Sequence, residues 1–131
     1  MDEYTQKVFE HFRNPRNVGV MDEADGIGKI GSEDCGDYLV MYIKVDENEF
    51  IEDIKFQIYG CVAAIATSSA LTEMAKGMHI DEAVAITEED IIKYLGGLPE
   101  EKIHCSVLGA QCIKSAVLDY YQKKLQTNED I

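Results

Sequence analysis

Residues 38–76 read YLVMYIKVDENEFIEDIKFQIYGCVAAIATSSALTEMAK, and this stretch decides the fold. Tyr38 to Val45 is rich in β-branched and aromatic side chains, the composition of a strand. Asp46-Glu47-Asn48-Glu49 is a polar turn. Phe50 to Tyr59 is a second strand, in which Ile54, Phe56 and Ile58 alternate with Lys55, Gln57 and Tyr59. A period of two puts one set on a buried face and the other on a wetter one. The two strands therefore form an antiparallel hairpin. Gly60 breaks the pattern, and residues 62–76 switch to a helix built from Ala63, Ala64, Ala66, Ser68, Ser69 and Ala70. Small residues let such a helix approach a sheet closely, and Gly77 stops it.

Working outward, Tyr4, Val8, Phe9 and Phe12 fall on one face of a helix over residues 3–13. Asn14-Pro15 ends that helix. Residues 14–36 are glycine-rich and mostly loop, with a short strand over 28–32. On the other side, a short helix is expected near 80–86. Thr87 with Asp90 three residues on resembles a helix N-cap, opening a helix to Leu95. Gly96-Gly97 and Pro99 form a loop. A long helix follows over 104–125, with a frayed tail over 127–131. The expected fold is α+β: a small antiparallel sheet of about three strands with helices packed on it. The 131 residues suit one domain, 1–131.

A net charge of −13 opposes binding to nucleic acid and to anionic membranes. It favours solubility and a partner with a basic face. Arg13 and Arg16, the two arginines, flank Pro15 and form a basic spot that reads as a docking point. No apolar run approaches the length of a membrane span. The start, Met1-Asp2-Glu3, is acidic rather than basic-then-apolar, so a cytoplasmic protein is expected.

The four cysteines are Cys35, Cys61, Cys105 and Cys112. None forms a CxxC pair, which removes zinc ribbons, ferredoxin-type runs and thioredoxin-like redox pairs. Cys35 precedes a strand, Cys61 follows one and opens a helix, and Cys105 opens the last helix. Such positions can gather at one sheet edge. A helix N-terminus favours thiolate, the form that binds soft metals. Gly36 and Gly60 would let backbone come close to a bulky ligand. Asp37, two residues after Cys35, points the same way in extended chain, and His104 adjoins Cys105. Cys112 lies two helical turns after Cys105 among Ala110, Ile113 and Ala116, and reads as core. His11 and His79 read as surface or packing histidines. Gly26-Ile27-Gly28 lacks the context of a phosphate loop. Glu88, Glu89 and Asp90 read as a solvated helix start.

Four segments make the sequence resemble the NifU/IscU-type iron–sulfur cluster assembly scaffolds, from about Tyr4 to Leu125. They are His11-Phe12-Arg13-Asn14-Pro15-Arg16-Asn17-Val18-Gly19, Cys35-Gly36-Asp37, Tyr59-Gly60-Cys61 and Lys102-Ile103-His104-Cys105-Ser106. The resemblance implies that Cys35, Cys61 and Cys105 are cluster ligands and that Asp37 and His104 are exchangeable fourth ligands. It implies a 2Fe–2S cluster, built from iron and from persulfide sulfur supplied by a cysteine desulfurase, then handed to apo-acceptor proteins. A cluster of this type wants four protein ligands, and three thiols match. A harder fourth donor is a weak corner that an acceptor thiol can displace. Cys105 is the expected persulfide acceptor, because His104 and Lys102 favour its thiolate. Glu33, Asp34 and Asp37 disfavour Cys35 in that role.

Leu98-Pro99-Glu100-Glu101-Lys102 stands where many scaffolds carry an LPPVK segment read by a dedicated Hsp70-type chaperone; the two glutamates argue against that partner. Val62-Ala63 after Cys61 is bulkier than the family's small residues. A homodimer is compatible with the sequence. The alternative function is a zinc-dependent sulfurtransferase, since three cysteines with Asp or His also suit zinc. Relatives of that kind carry an insertion between the second and third cysteines, and none is evident here. Zinc is also expected as an occupant of the cluster-free form.

Overall fold

A computed structural model describes residues 4–32 and 37–129. Helix α1 (Gln6–Arg13) is capped by Thr5, whose hydroxyl accepts from the Val8 amide. Strands β1 (Gly26–Ser32), β2 (Asp37–Val45) and β3 (Ile51–Tyr59) follow. Then come α2 (Val62–Ala75), α3 (Ile80–Ala83), α4 (Glu88–Tyr94), a 3₁₀ turn over Glu100–Lys102 and α5 (His104–Glu129). The expected α+β class holds: the three strands form an antiparallel meander in the order β1-β2-β3.

Leu39, Met41 and Ile43 on β2 alternate into the core, as a strand with one covered face requires. On β3 the buried residues are Ile51, Ile54 and Phe56. Ile51 and Ile54 share a face despite their odd spacing, because Lys44 pairs with Asp53 while Val45 pairs with Ile51. The extra residue is a bulge that resets the alternation. Ile58 lies half-buried rather than in the core.

Helix α2 is buried along nearly its whole length. Its small side chains let α1, α5, α4 and β3 all pack against it. The alanine-rich sequence thus serves a central helix rather than a one-sided amphipathic one. Gly77 follows it at φ +90°, a backbone region that costs glycine little.

Helix α5 lies across β1 and β2. The glycines of β1 make that crossing possible. A Cβ at Gly26 would stand 2.2 Å from the Ala116 carbonyl oxygen, and one at Gly28 2.3 Å from that of Cys112. These glycines form a strand under a helix, and the strand starts two residues earlier than expected. Helix α5 continues to Glu129, past the expected end at 125. Residues 17–19, read as loop, run beside β3. The Phe56 amide donates to the Asn17 carbonyl and the Gly19 amide to the Phe56 carbonyl, both at 2.9 Å. They cover the outer edge of the sheet. The Thr87–Asp90 capping box is present in full. Among the described residues no helix is long and apolar enough to cross a membrane.

Candidate functional site

Three elements end at one place. Cys61 is the N-cap residue of α2, directly after the β3 hairpin arm and Gly60. Cys105 is the second residue of α5. Asp37 is the first residue of β2. The cysteine sulfurs and an Asp37 carboxylate oxygen all lie within 4.8 Å of one another. The two sulfurs are 3.5 Å apart. That is far beyond the roughly 2.05 Å of a disulfide. It is close to the separation of two thiolates sharing a metal at about 2.3 Å each in tetrahedral geometry.

Asp37 and Cys105 are buried, while Cys61 is half-exposed. The pair thus has one open side. Two soft sulfurs and one hard oxygen form a mixed donor set that suits zinc and sulfur-bridged iron alike. Cys35 lies outside the described residues. The backbone of His104 opens α5, and its side chain also lies outside them.

The electrostatics differ from the sequence expectation in one respect. Lys102 does favour the Cys105 thiolate, but weakly. Burial pushes the Cys105 thiol up to about 12, helped by its hydrogen bond with Cys61 and by the nearby Asp37 carboxylate. Desolvation of a charge outweighs one cation at the rim. A bound cation reverses this balance by taking the place of the proton.

Cys112 stands apart from this group, fully buried against the sheet, with its thiol directed at the Leu39 carbonyl at 3.7 Å. It is core, as expected. A groove of about 590 Å³ among α2, α3 and α4, lined by Met74, Met78, Glu82 and Ile86, shares no residue with the thiol pair.

The N-terminal signature also has an internal structural job. Arg16 pairs with Glu10 at 2.5 Å and with Glu73 at 3.4 Å. Its backbone amide donates to Ser69 Oγ at 2.9 Å. His11 is buried, with Nδ1 2.7 Å from the same Ser69 hydroxyl. Tyr94 donates to Glu73, which holds the phenol up at about 12. Asn17 donates to Thr72. Arg13 is exposed and lies over the Phe9 ring. Segment 11–17 is therefore a clamp that ties α1 and its loop to α2. Its sequence signal is the pairing of polar residues with the serines and threonines inside an otherwise apolar helix. His79 caps α3, accepting from the Asp81 amide, and packs edge-on to Phe50.

The sequence matches the family described as the NifU-like N terminal domain over residues 3–127. It is 56% identical over 120 residues to a protein of Archaeoglobus fulgidus named iron–sulfur cluster assembly scaffold protein IscU 1, covering 92% of this chain and 78% of that one. It is 49% identical over 128 residues to the Aquifex aeolicus protein named iron–sulfur cluster assembly scaffold protein IscU, covering 97% of this chain and 82% of the relative. In three dimensions it is similar to the N-terminal part of a nitrogen-fixing NifU-like protein from Brucella abortus. There the TM-score is 0.72 at 18% identity, over 92% of this chain and 96% of that structure. At that identity the likeness concerns the fold alone.

Proposed function

We propose, because the chain belongs to the NifU-like N-terminal domain family, that it is a scaffold on which an iron–sulfur cluster is assembled and from which the cluster passes to acceptor proteins. The observation that carries this reading is the convergence of Asp37, Cys61 and Cys105, whose ligand atoms lie within 4.8 Å of one another at the ends of three different elements. Two thiols and a carboxylate with one open side can hold a cargo that must later leave. The finer reading is a 2Fe–2S cluster held by Cys35, Cys61 and Cys105. Asp37 or His104 supplies the exchangeable fourth donor. A harder donor binds sulfur-bridged iron less well, so an incoming acceptor thiol displaces it first.

A cysteine desulfurase carries the sulfur as a persulfide on its own cysteine; the Cys105 thiolate, formed once a base takes its proton or a cation takes the proton's place, attacks the outer sulfur, and the desulfurase cysteine leaves as thiolate. Zinc occupies the same ligands when no cluster is present. The protein works in the cytoplasm.

The test is anaerobic reconstitution with iron, cysteine and a desulfurase, followed by metal and labile-sulfide assays and a visible spectrum. The scaffold reading expects iron and sulfide in equal amounts. It also expects the charge-transfer bands to vanish in Cys35→Ala, Cys61→Ala and Cys105→Ala. Tight zinc without labile sulfide, with sulfur passing through one cysteine, would establish the zinc sulfurtransferase instead.

A further inference from the structure

Gly60 is exposed, and its φ lies outside the left-handed region, so neither burial nor backbone conformation requires a glycine there. The requirement is space. Tyr38 and Tyr59 are paired across β2 and β3 at the end of their ladder, and Asp37 and Gly60 adjoin them in sequence. A Cβ built on Gly60 would stand 2.9 Å from Asp37 Oδ1, 3.3 Å from its carboxyl carbon and 2.9 Å from the Ala64 Cβ. Contacts under about 3 Å force something to shift. Ala64 is fully buried in the first turn of α2, and its methyl cannot swing away. The Asp37 carboxylate is the group free to yield, by rotating about χ1, which moves its oxygens relative to Cys61 and Cys105.

We propose that Gly60 is a positioning residue for the oxygen donor of this site: the missing side chain is the seat in which the Asp37 carboxylate rests while it faces the two sulfurs. This gives Gly60 a task different from letting backbone approach a ligand. The inference rests on the reading of Asp37, Cys61 and Cys105 as a metal-binding group. Gly60→Ala then acts as a mild form of Asp37→Ala. It withdraws the oxygen, while the second close contact, with Ala64, is taken up in the first turn of α2.

The test uses cobalt(II) and cadmium(II) as probes on the full-length protein, with the absorption spectrum and affinity as readouts. Cobalt values the oxygen donor, whereas cadmium is held mainly by thiolates. Gly60→Ala is expected to weaken cobalt about 10-fold, within the range seen when a group that orients a ligand is lost. Its cobalt ligand-field bands should move to the positions seen in Asp37→Ala, with cadmium affinity unchanged. The double variant Gly60→Ala/Asp37→Ala should be no weaker than Asp37→Ala alone. Gly60→Ala/Ala64→Gly removes the clash with α2 but keeps the clash with Asp37, so it should retain the cobalt defect, with Ala64→Gly alone as the reference for the stability lost by a glycine in α2.

Additive losses in the double variant would overturn the proposal. Equal losses for cobalt and cadmium would do so too, as would recovery of cobalt binding in Gly60→Ala/Ala64→Gly. If wild type shows no thiolate-to-cobalt bands, the metal-binding reading itself fails. If wild type and Asp37→Ala differ but Gly60→Ala matches wild type, only the positioning role fails.

Discussion

The glycines of β1 and the glycine before Cys61 are the same residue under two different demands. At Gly26 and Gly28 a side chain would meet backbone carbonyls of α5 at 2.2 and 2.3 Å. Backbone inside a packed helix cannot yield, so these positions set how near α5 comes to the sheet. At Gly60 a side chain would meet the Ala64 methyl and, also at 2.9 Å, a carboxylate. That group can yield, at the cost of its place in the site. One pair of glycines therefore fixes the fold, and the other glycine fixes the donor set.

The sharpest way to break this comparison is Gly28→Ala. Forcing α5 off β1 should destabilise the protein by about 3 kcal/mol, at the upper end of the range for overpacking. Gly60→Ala should stay within about 1 kcal/mol of wild type in the same urea titration. Equal unfolding midpoints for the two variants would dissolve the distinction. Cys105→Ala against Cys112→Ala comes next. Both thiols are buried and both are held up at about 12. For Cys112, burial is the leading cause and its neighbours are core. Cys112→Ala should lower stability by about 1 kcal/mol and leave cobalt binding intact, whereas Cys105→Ala should abolish the cobalt spectrum. Loss of the spectrum in Cys112→Ala would place that residue in the site.

The Thr87 cap offers a control far from both glycine sets. Thr87→Ala removes the capping box of α4 and should cost about 1 kcal/mol without touching metal affinity.

The smallest expected effect concerns pH. Burial, then the Arg16 guanidinium, hold the His11 imidazole below its ordinary value, while Glu73 and Glu10 oppose them. A depressed folded value means the unfolded chain takes up the proton first. Stability is therefore complete above about 6.5 and falls as pH drops through the folded value. The Glu10 carboxyl is itself held below its ordinary value by Arg16, so its own loss comes at still lower pH. Urea midpoints at pH 8 and pH 5.5 should differ in wild type and differ less in His11→Asn. An unchanged difference would assign the pH dependence elsewhere than the α1–α2 clamp.

Much of this was legible beforehand because its causes are local. Alternation in 38–59, the Thr87–Asp90 spacing and the breaker at Gly77 each act within a few residues. What escaped notice depends on residues far apart in the chain. His11 and Ser69 are 58 positions apart, so the sequence left His11 open between surface and packing, and only its contact with Ser69 decides for packing. Arg16 looked like a free basic spot because Glu73 approaches it only through the packing of α2. The β1 glycines looked like a loop because their reason lies in α5.

Local pattern was enough for the α+β class, the Thr87 cap and the places of Cys61 and Cys105 at helix starts, since periodicity and capping are properties of neighbouring residues. Tertiary packing, by contrast, brings the ligand atoms of Asp37, Cys61 and Cys105 together, pushes the Cys105 thiol up by burial, and sets Gly60 beside a carboxylate. Those facts follow from burial and from distances across the sheet edge, which no local pattern encodes.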